Sequence, residues 1–353
     1  MMNQDIMPIR PIQLPHDFLP LADAITASFQ YPENEEWSIQ PDEKADIVEQ
    51  VRMMRRLWPL VKLLQRISPS LRDLITGYIW EEDEQIAGMV LLHRIGATEN
   101  WIIGTVGVLP AYRRRGMARQ LVEGGLKLIR EKEGKKVILS VIDGNEPARS
   151  LYESVGFQQY SGTVEFELKP NESTGYKTGY KNEGQWPLEE PTLPSGYRQA
   201  PLGRFEWQPR YKLIKRIAPE LVQTYEAIDE KRYRPTTARR LLGFLFAFIG
   251  SIQGKRQERF AIWTESDNQV VAVGKCSGST RGDGFSDLDI TLDANHDALA
   301  PYLVRYQLIQ ALRINPKHRV SLSVDQWMSS IVAAAEEAGF VRRQEDCSMG
   351  LTL

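Results

Sequence analysis

Two cysteines and four histidines are all that 353 residues offer toward disulfide or soft-metal chemistry. Cys276 and Cys347 cannot build a disulfide framework, and His16, His93, His296 and His318 fall at no metal-ligand spacing, so no metal is expected. Charge of one sign is also missing: 44 basic residues stand against 46 acidic ones, for a net charge of -2. That balance lacks the basic excess of a nucleic-acid binder. No apolar run reaches the roughly 20 residues that span a bilayer. The longest, 241–252, contains Gly243, Gly250 and Ser251 and reads as a buried helix. The first ten residues lack a basic segment followed by an apolar stretch, so no secretory signal is expected. These absences point to a cytoplasmic protein without membrane or nucleic-acid partners, and 42% hydrophobic content is enough to fill two cores.

Hydrophobic periodicity supplies the coarse layout. Residues 9–14 read as a strand, 17–29 as a helix, and 41–67 as a long helical region that Pro59 should kink or divide. Three strands follow at 74–82, 85–94 and 101–108, the first two joined through Asp83 and Glu84. Leu121, Val122, Leu126 and Ile129 mark one face of a helix over 116–131. A β-branched strand at 136–142, a turn at Asp143, Gly144 and Asn145, a short helix closed by Gly156, and a closing strand at 163–168 complete this part.

The segment 106–118 carries the strongest chemical signal. An apolar strand ending at Val108 meets Pro110, then Arg113, Arg114 and Arg115, then Gly116, which opens the amphipathic helix. Helix N-termini present unpaired N–H groups and partial positive charge, so a diphosphate gains hydrogen bonds and dipole stabilisation together. Gly116 admits phosphate to the backbone, the arginines add charge-assisted donors, and Ala118 keeps the first turn slim. Taken alone, the arginine run reads equally as a solvated helix start.

The spacing Arg113-x-x-Gly116-x-Ala118 after Val106, Val108 and Pro110 resembles the acyl-CoA signature of the GNAT superfamily of N-acetyltransferases. Asn145, Ala148, Leu151, Tyr152, Val155, Gly156 and Phe157 resemble its second signature block. The resemblance implies an α/β (α+β) fold, a mixed and mostly antiparallel sheet flanked by helices, with acetyl-CoA as co-substrate. It implies a strand pair splayed apart, with the pantetheine arm in the gap. Coenzyme contacts would come from Val106, Val108, Met117 and Ala118, from Arg113, Arg114, Arg115 and Gly116, and from Asn145, Ala148 and Tyr152. The Val108 N–H would face the thioester oxygen, and Tyr152 would protonate the departing thiolate. Asn145 also reads as a plain helix cap, and Tyr152 as a packing aromatic. The family's usual carboxylate base is missing from 101–108; Glu99, just before that strand, is the nearest candidate and also reads as a surface turn residue, and a water relay is the alternative.

The later half repeats the earlier one. The hairpin around Ile79 answers to that around Ile262, and Gly156 answers to Gly339, at one offset of 183 positions (262 − 79 and 339 − 156). Two tandem GNAT-like domains are therefore expected, at 1–168 and 199–353, joined by a linker at 169–198 that contains Tyr176, Tyr180 and Trp186. At that offset Arg113 becomes His296, Gly116 becomes Leu299, Ala118 becomes Pro301 and Tyr152 becomes Ala335, so the second copy has lost the cradle. The basic stretches 210–216 and 231–240 read as solvated faces of amphipathic helices, with an anionic partner as the alternative.

The expected reaction is transfer of an acetyl or longer acyl group from acetyl-CoA to a primary amine by direct attack in a ternary complex; the alternative is a non-catalytic CoA-responsive binding protein. Glu33, Glu35, Glu36, Asp42 and Glu43 would favour a cationic amine acceptor. A second resemblance, to tandem N-myristoyltransferases, implies a base at the carboxylate of Leu353.

Overall fold

The computed structural model describes residues 9–68, 71, 73–169, 190–281 and 284–353, without the side chains of residues 36, 42 and 67. Tyr176, Tyr180 and Trp186 lie outside the described residues. Two units form, and neither is one stretch of chain. The first holds the described residues up to Tyr160 with Thr224–Ala227 and Cys347–Leu353; the second holds Ser161–Gln223 and Ile228–Asp346.

The first unit is built from β1 (Ile9–Pro11), α1 (Phe18–Ser28), α2 (Pro41–Ile67), β2 (Thr76–Glu82), β3 (Gln85–Arg94), β4 (Asn100–Val108), α3 (Met117–Glu131), β5 (Lys136–Ile142) and α4 (Glu146–Ser154). Its strands lie in the order β1-β2-β3-β4-β5, all antiparallel except β4 with β5. Asp83 and Glu84, both at positive φ, turn the β2–β3 hairpin with the twist that strands prefer. The parallel β4–β5 pair needs a crossover, and α3 supplies it. The apolar face of α3, Leu121, Val122, Leu126 and Ile129, packs on Val90, Leu92, Trp101 and Ile103. Alternation along β3 sends Met89 to the other face, where it meets Leu21 and Ala24 of α1. Pro59 does not divide α2, which runs through it as one helix; Trp58, Val61 and Leu64 are buried along this stretch, and Trp58 meets Phe18 edge-on at 5.1 Å.

A salt-bridge network ties β1 to its neighbours. Arg10 donates to both Asp17 oxygens at 2.7 and 2.9 Å and to Glu81 at 2.7 Å, while the Gln13 N–H reaches Asp17 at 2.6 Å. Burial pushes the Asp17 carboxyl up, but hydrogen bonds from Arg10, Gln13 and His16 outweigh it and hold the group at about 2. The unfolded chain therefore takes up the proton first, and this share of stability is lost as pH falls from about 4 toward 2. Asp17→Asn is expected to cost about 2 kcal/mol in urea denaturation at pH 7, shrinking toward zero near pH 2.

The chain continues through β6 (Gln158–Leu168), β7 (Tyr197–Pro201), α5 (Gln208–Ile217), α6 (Glu220–Tyr225), α7 (Glu230–Tyr233), α8 (Thr237–Ile252), β8 (Lys255–Thr264), β9 (Val270–Ser279), β10 (Phe285–Leu292), α9 (Ala300–Ile314), β11 (Arg319–Asp325), α10 (Ser329–Glu337) and β12 (Val341–Thr352). The second unit orders its strands β6-β11-β10-β9-β8-β7, with β10 and β11 parallel as β4 and β5 are. The repeat extends to irregularities: β2–β3 shifts register between Trp80 and Glu81, and β8–β9 between Ile262 and Trp263. Helices α3 and α9 begin 183 positions apart (300 − 117).

The strand read as closing the first domain has a different neighbour. From Thr163 to Leu168 it pairs with β11, and Val164, Phe166 and Leu168 enter the second unit's core. The first unit takes in Cys347–Leu353 instead: Cys347 and Met349 join the core around Tyr152 and Phe157, and the Leu353 N–H donates to the Lys135 carbonyl. Alternation shows that β6 has one buried face, but it carries no information about which sheet receives it.

Candidate acyl-CoA site

The site begins with an irregularity in β4. Leu91 faces Thr105 but Leu92 faces Ile103, so Gly104 is an extra residue, a bulge that bends the strand. The His93 ring lies on it: a Cβ at Gly104 would sit 2.3 Å from His93 Cε1, so a side chain there would displace the ring. Beyond the bulge β4 leaves β5, which pairs with it only over Asn100–Ile102. The Leu109 N–H donates to the Ala87 carbonyl at 2.9 Å, so hydrogen-bonded pairs alternate from there, and Gly88–Val108 and Val90–Val106 are the non-bonded ones. The N–H groups of Val106 and Val108 consequently face the side from which β5 has departed, where an amide-bearing ligand can pair with them.

A turn at Pro110–Tyr112 then leads into the cradle. Arg114 and Gly116 both lie at positive φ, 65° and 79°. Around the position of a Gly116 Cβ nothing approaches within 4 Å. No side chain caps α3, and its first turn carries no acid, so its leading N–H groups point into that open space. Such a concavity suits a diphosphate. The three arginines have separate fates. Arg113 folds back, donating to the Ser28 carbonyl at 2.8 Å and the Val108 carbonyl at 3.3 Å, with its guanidinium over the Tyr31 ring. Arg115 pairs with Glu82 and lies over Tyr112. Arg114 has no ion pair among the described residues and is the arginine available to phosphate. Met117 is turned into the core beside Ala87 and Tyr112, so it can offer a ligand only backbone, while Ala118 is half-buried.

Asn145 caps α4 by accepting from the Ala148 N–H at 3.3 Å, and Ala148 packs at the edge of the core. Tyr152 is 7% exposed, meets Phe157 edge-on, and its hydroxyl has no hydrogen-bond partner among the described residues. Burial, with the Tyr31 phenol adding to it, pushes the Tyr152 phenol far above its ordinary range and keeps it protonated. Tyr31 and Trp37, which meet edge-on, bring the α1–α2 connection over the site: Trp37 lies against Gly144 in the turn after β5. Neither aromatic was singled out from sequence; Trp37 stands beside Glu33, Glu35 and Glu36 in the chain, and Tyr31 carried no signal.

Two candidate bases lie elsewhere. Glu99 precedes β4 at the end opposite Val108, roughly 30 Å away at about 3.3 Å per residue, and pairs with Lys135. The length of β4 between them removes Glu99 from the gap. Leu353 is bonded to that same Lys135, at the far end of β5 from the splay, so its carboxylate does not reach the gap either. Glu33 and Glu35 are exposed on the α1–α2 connection, whereas Glu43 accepts from the Gln40 N–H at the start of α2. The group that sequence reading passed over is His93, half-buried on the α1 face, without a hydrogen-bond partner among the described residues, and held below its ordinary pKa by burial.

The second unit lacks these features. The β9–β10 ladder runs without a register shift, and β10 stays paired with β11 over five residues, Phe285–Asp289. Leu299, at the start of α9, and Ala335 of α10 are both fully buried. Among the described residues no group of three or more His, Cys, Asp or Glu could hold a metal, and no helix is long and apolar enough to cross a membrane.

This fold is similar to that of a tandem GNAT protein from the clavulanic acid biosynthesis pathway, which superposes with a TM-score of 0.62 at 14% identity, covering 98% of each chain. The model of the Acetyltransferase (GNAT) family matches residues 34–157. Mycothiol acetyltransferase of Corynebacterium glutamicum is 37% identical over 98 residues, 27% of this chain and 32% of that protein. N-alpha-acetyltransferase RimI of Mycobacterium tuberculosis is 38% identical over 76 residues, 21% of this chain and 46% of that protein. The chain thus spans less than half the length of either relative.

Proposed function

We propose that the first unit transfers an acyl group, acetyl in the simplest case, from acetyl-CoA to a primary amine by direct attack in a ternary complex. The observation that carries this is the open slot between β4 and β5, leading to an uncapped helix start where Gly116 leaves room for phosphate. Acetyl-CoA supplies the acyl group already activated as a thioester. The N–H groups at Gly116, Met117 and Ala118, with Arg114, hold the diphosphate, and Arg113 braces the turn by binding the Val108 and Ser28 carbonyls. The Val108 N–H faces the carbonyl oxygen as charge develops on it, an effect worth roughly 3 kcal/mol, and the Val106 N–H, two residues back along the same strand edge, pairs with the pantetheine arm. Tyr152 gives its proton to the leaving sulfur, and Asn145 has an amide N–H free for the pantetheine arm while its oxygen caps α4. The second unit acts as scaffold.

His93 takes the amine proton through water, since it is the neutral base nearest the bulge on the acceptor face. Burial lowers its pKa, so it stays unprotonated through the neutral range, and kcat should fall only below the ordinary histidine range. His93→Gln is expected to lower kcat about 10-fold and to remove that acid limb from the pH profile, with KM for acetyl-CoA unchanged. Glu33 and Glu35 draw a cationic amine toward the site.

The test is thiol release from acetyl-CoA across a panel of cationic and neutral amines. Release that favours cationic amines supports the reading. Coenzyme binding without turnover on any acceptor overturns it in favour of a CoA-responsive binding protein.

A further inference from the structure

Helix α8 turns the wrong residues to solvent. Leu241, Phe244, Phe248 and Ile252 are 53, 63, 66 and 59% exposed. Their spacing of three, four and four places them within an arc of about 80° at 3.6 residues per turn. Ala238, Leu242 and Gly250, on the other side, are buried. A helix at a protein surface ordinarily presents charge on the face away from the core, and contiguous exposed apolar surface marks a contact.

The surroundings indicate what makes that contact. From residue 234 to 256 the chain contains Arg234, Arg239, Arg240, Lys255 and Arg256 and neither Asp nor Glu. The Arg240 guanidinium lies over the Phe205 ring, which itself meets Phe244 at 5.0 Å, so positive charge borders the stripe. A second copy packed antiparallel on α8 would set Arg239 and Arg240 against Lys255 and Arg256. Packed parallel, each group would meet itself, so either arrangement opposes like charges at both ends. A surface apolar inside and negative at its boundary complements the stripe and its basic flanks. At 16 residues α8 is about 24 Å long, too short to span a bilayer.

We infer that α8 docks this protein on an anionic lipid bilayer, lying in the headgroup plane with Leu241, Phe244, Phe248 and Ile252 inserted and Arg240 and Arg256 at the phosphates. This departs from the membrane-free partner set expected from composition, because a 12-residue apolar run reads from sequence as core. It is independent of the acyl-transfer reading.

Flotation of the full chain with vesicles tests it. The protein should float with phosphatidylcholine vesicles containing about a third phosphatidylglycerol, and not with phosphatidylcholine alone. The double substitution Phe244→Ser and Phe248→Ser should lower binding at least about 10-fold without shifting the melting temperature. Arg240→Gln with Arg256→Gln, which leaves the apolar stripe intact, should weaken binding and flatten its salt dependence. Absence of flotation with anionic vesicles overturns the inference. So does a dimer in gel filtration that Phe248→Ser dissociates while flotation is unaffected, because the stripe is then covered by a second copy.

Discussion

Replacing Gly116 by leucine is expected to leave the protein folded while weakening coenzyme A binding at least about 100-fold, as read by calorimetry. The two effects separate because the position is costly for two different reasons. In the free protein a Cβ at Gly116 would touch nothing within 4 Å, so the only penalty is the left-handed backbone, φ 79°, about 1–2 kcal/mol for a residue with a side chain. With ligand bound, the same side chain occupies the space that a diphosphate needs against the leading N–H groups of α3. Each lost charge-assisted hydrogen bond is worth about 1.5–3 kcal/mol, and two of them exceed a factor of 100. Binding that survives Gly116→Leu would move the coenzyme elsewhere and with it the proposed chemistry.

Tyr152→Phe is expected to lower kcat about 100-fold or more while leaving KM for acetyl-CoA within a few-fold. The variant keeps the ring that packs on Phe157 and removes a hydroxyl that has no hydrogen-bond partner among the described residues, so the melting temperature should hold or rise slightly. Because burial raises the phenol's pKa, the parent enzyme should show no loss of kcat from this group as pH climbs to the ordinary tyrosine range. An unchanged kcat in the variant would reduce Tyr152 to a packing residue.

The turn at Gly116 and the cap at Asn145 were legible because they are local. Gly116, the arginines and the helix they precede lie within a few residues of one another, and a turn of that kind depends on φ and on hydrogen bonds between near neighbours. The departure of the second copy from the first was legible for the same reason, a buried Leu299 standing where Gly116 stands in the repeat. The commitments of the arginines were not. Arg113 bonds a carbonyl 85 residues away at Ser28, and Arg115 pairs with Glu82, so only Arg114 remains for phosphate. Glu99 was the carboxylate nearest in sequence to a strand that holds none; the pairing of β4 with β5 over Asn100–Ile102 puts it at the end opposite the gap.

By itself the chain's sequence determined its two-fold repeat, the order of its elements and the glycine turn that opens α3, since periodicity and turn chemistry are encoded over a few residues. Tertiary structure alone decided that β6 serves the second unit while Cys347–Leu353 serves the first, that His93 rests on Gly104, and that one face of α8 stays uncovered. Those outcomes depend on which surfaces meet across a hundred or more residues, and an alternating or apolar pattern states that a face must be buried without naming what buries it.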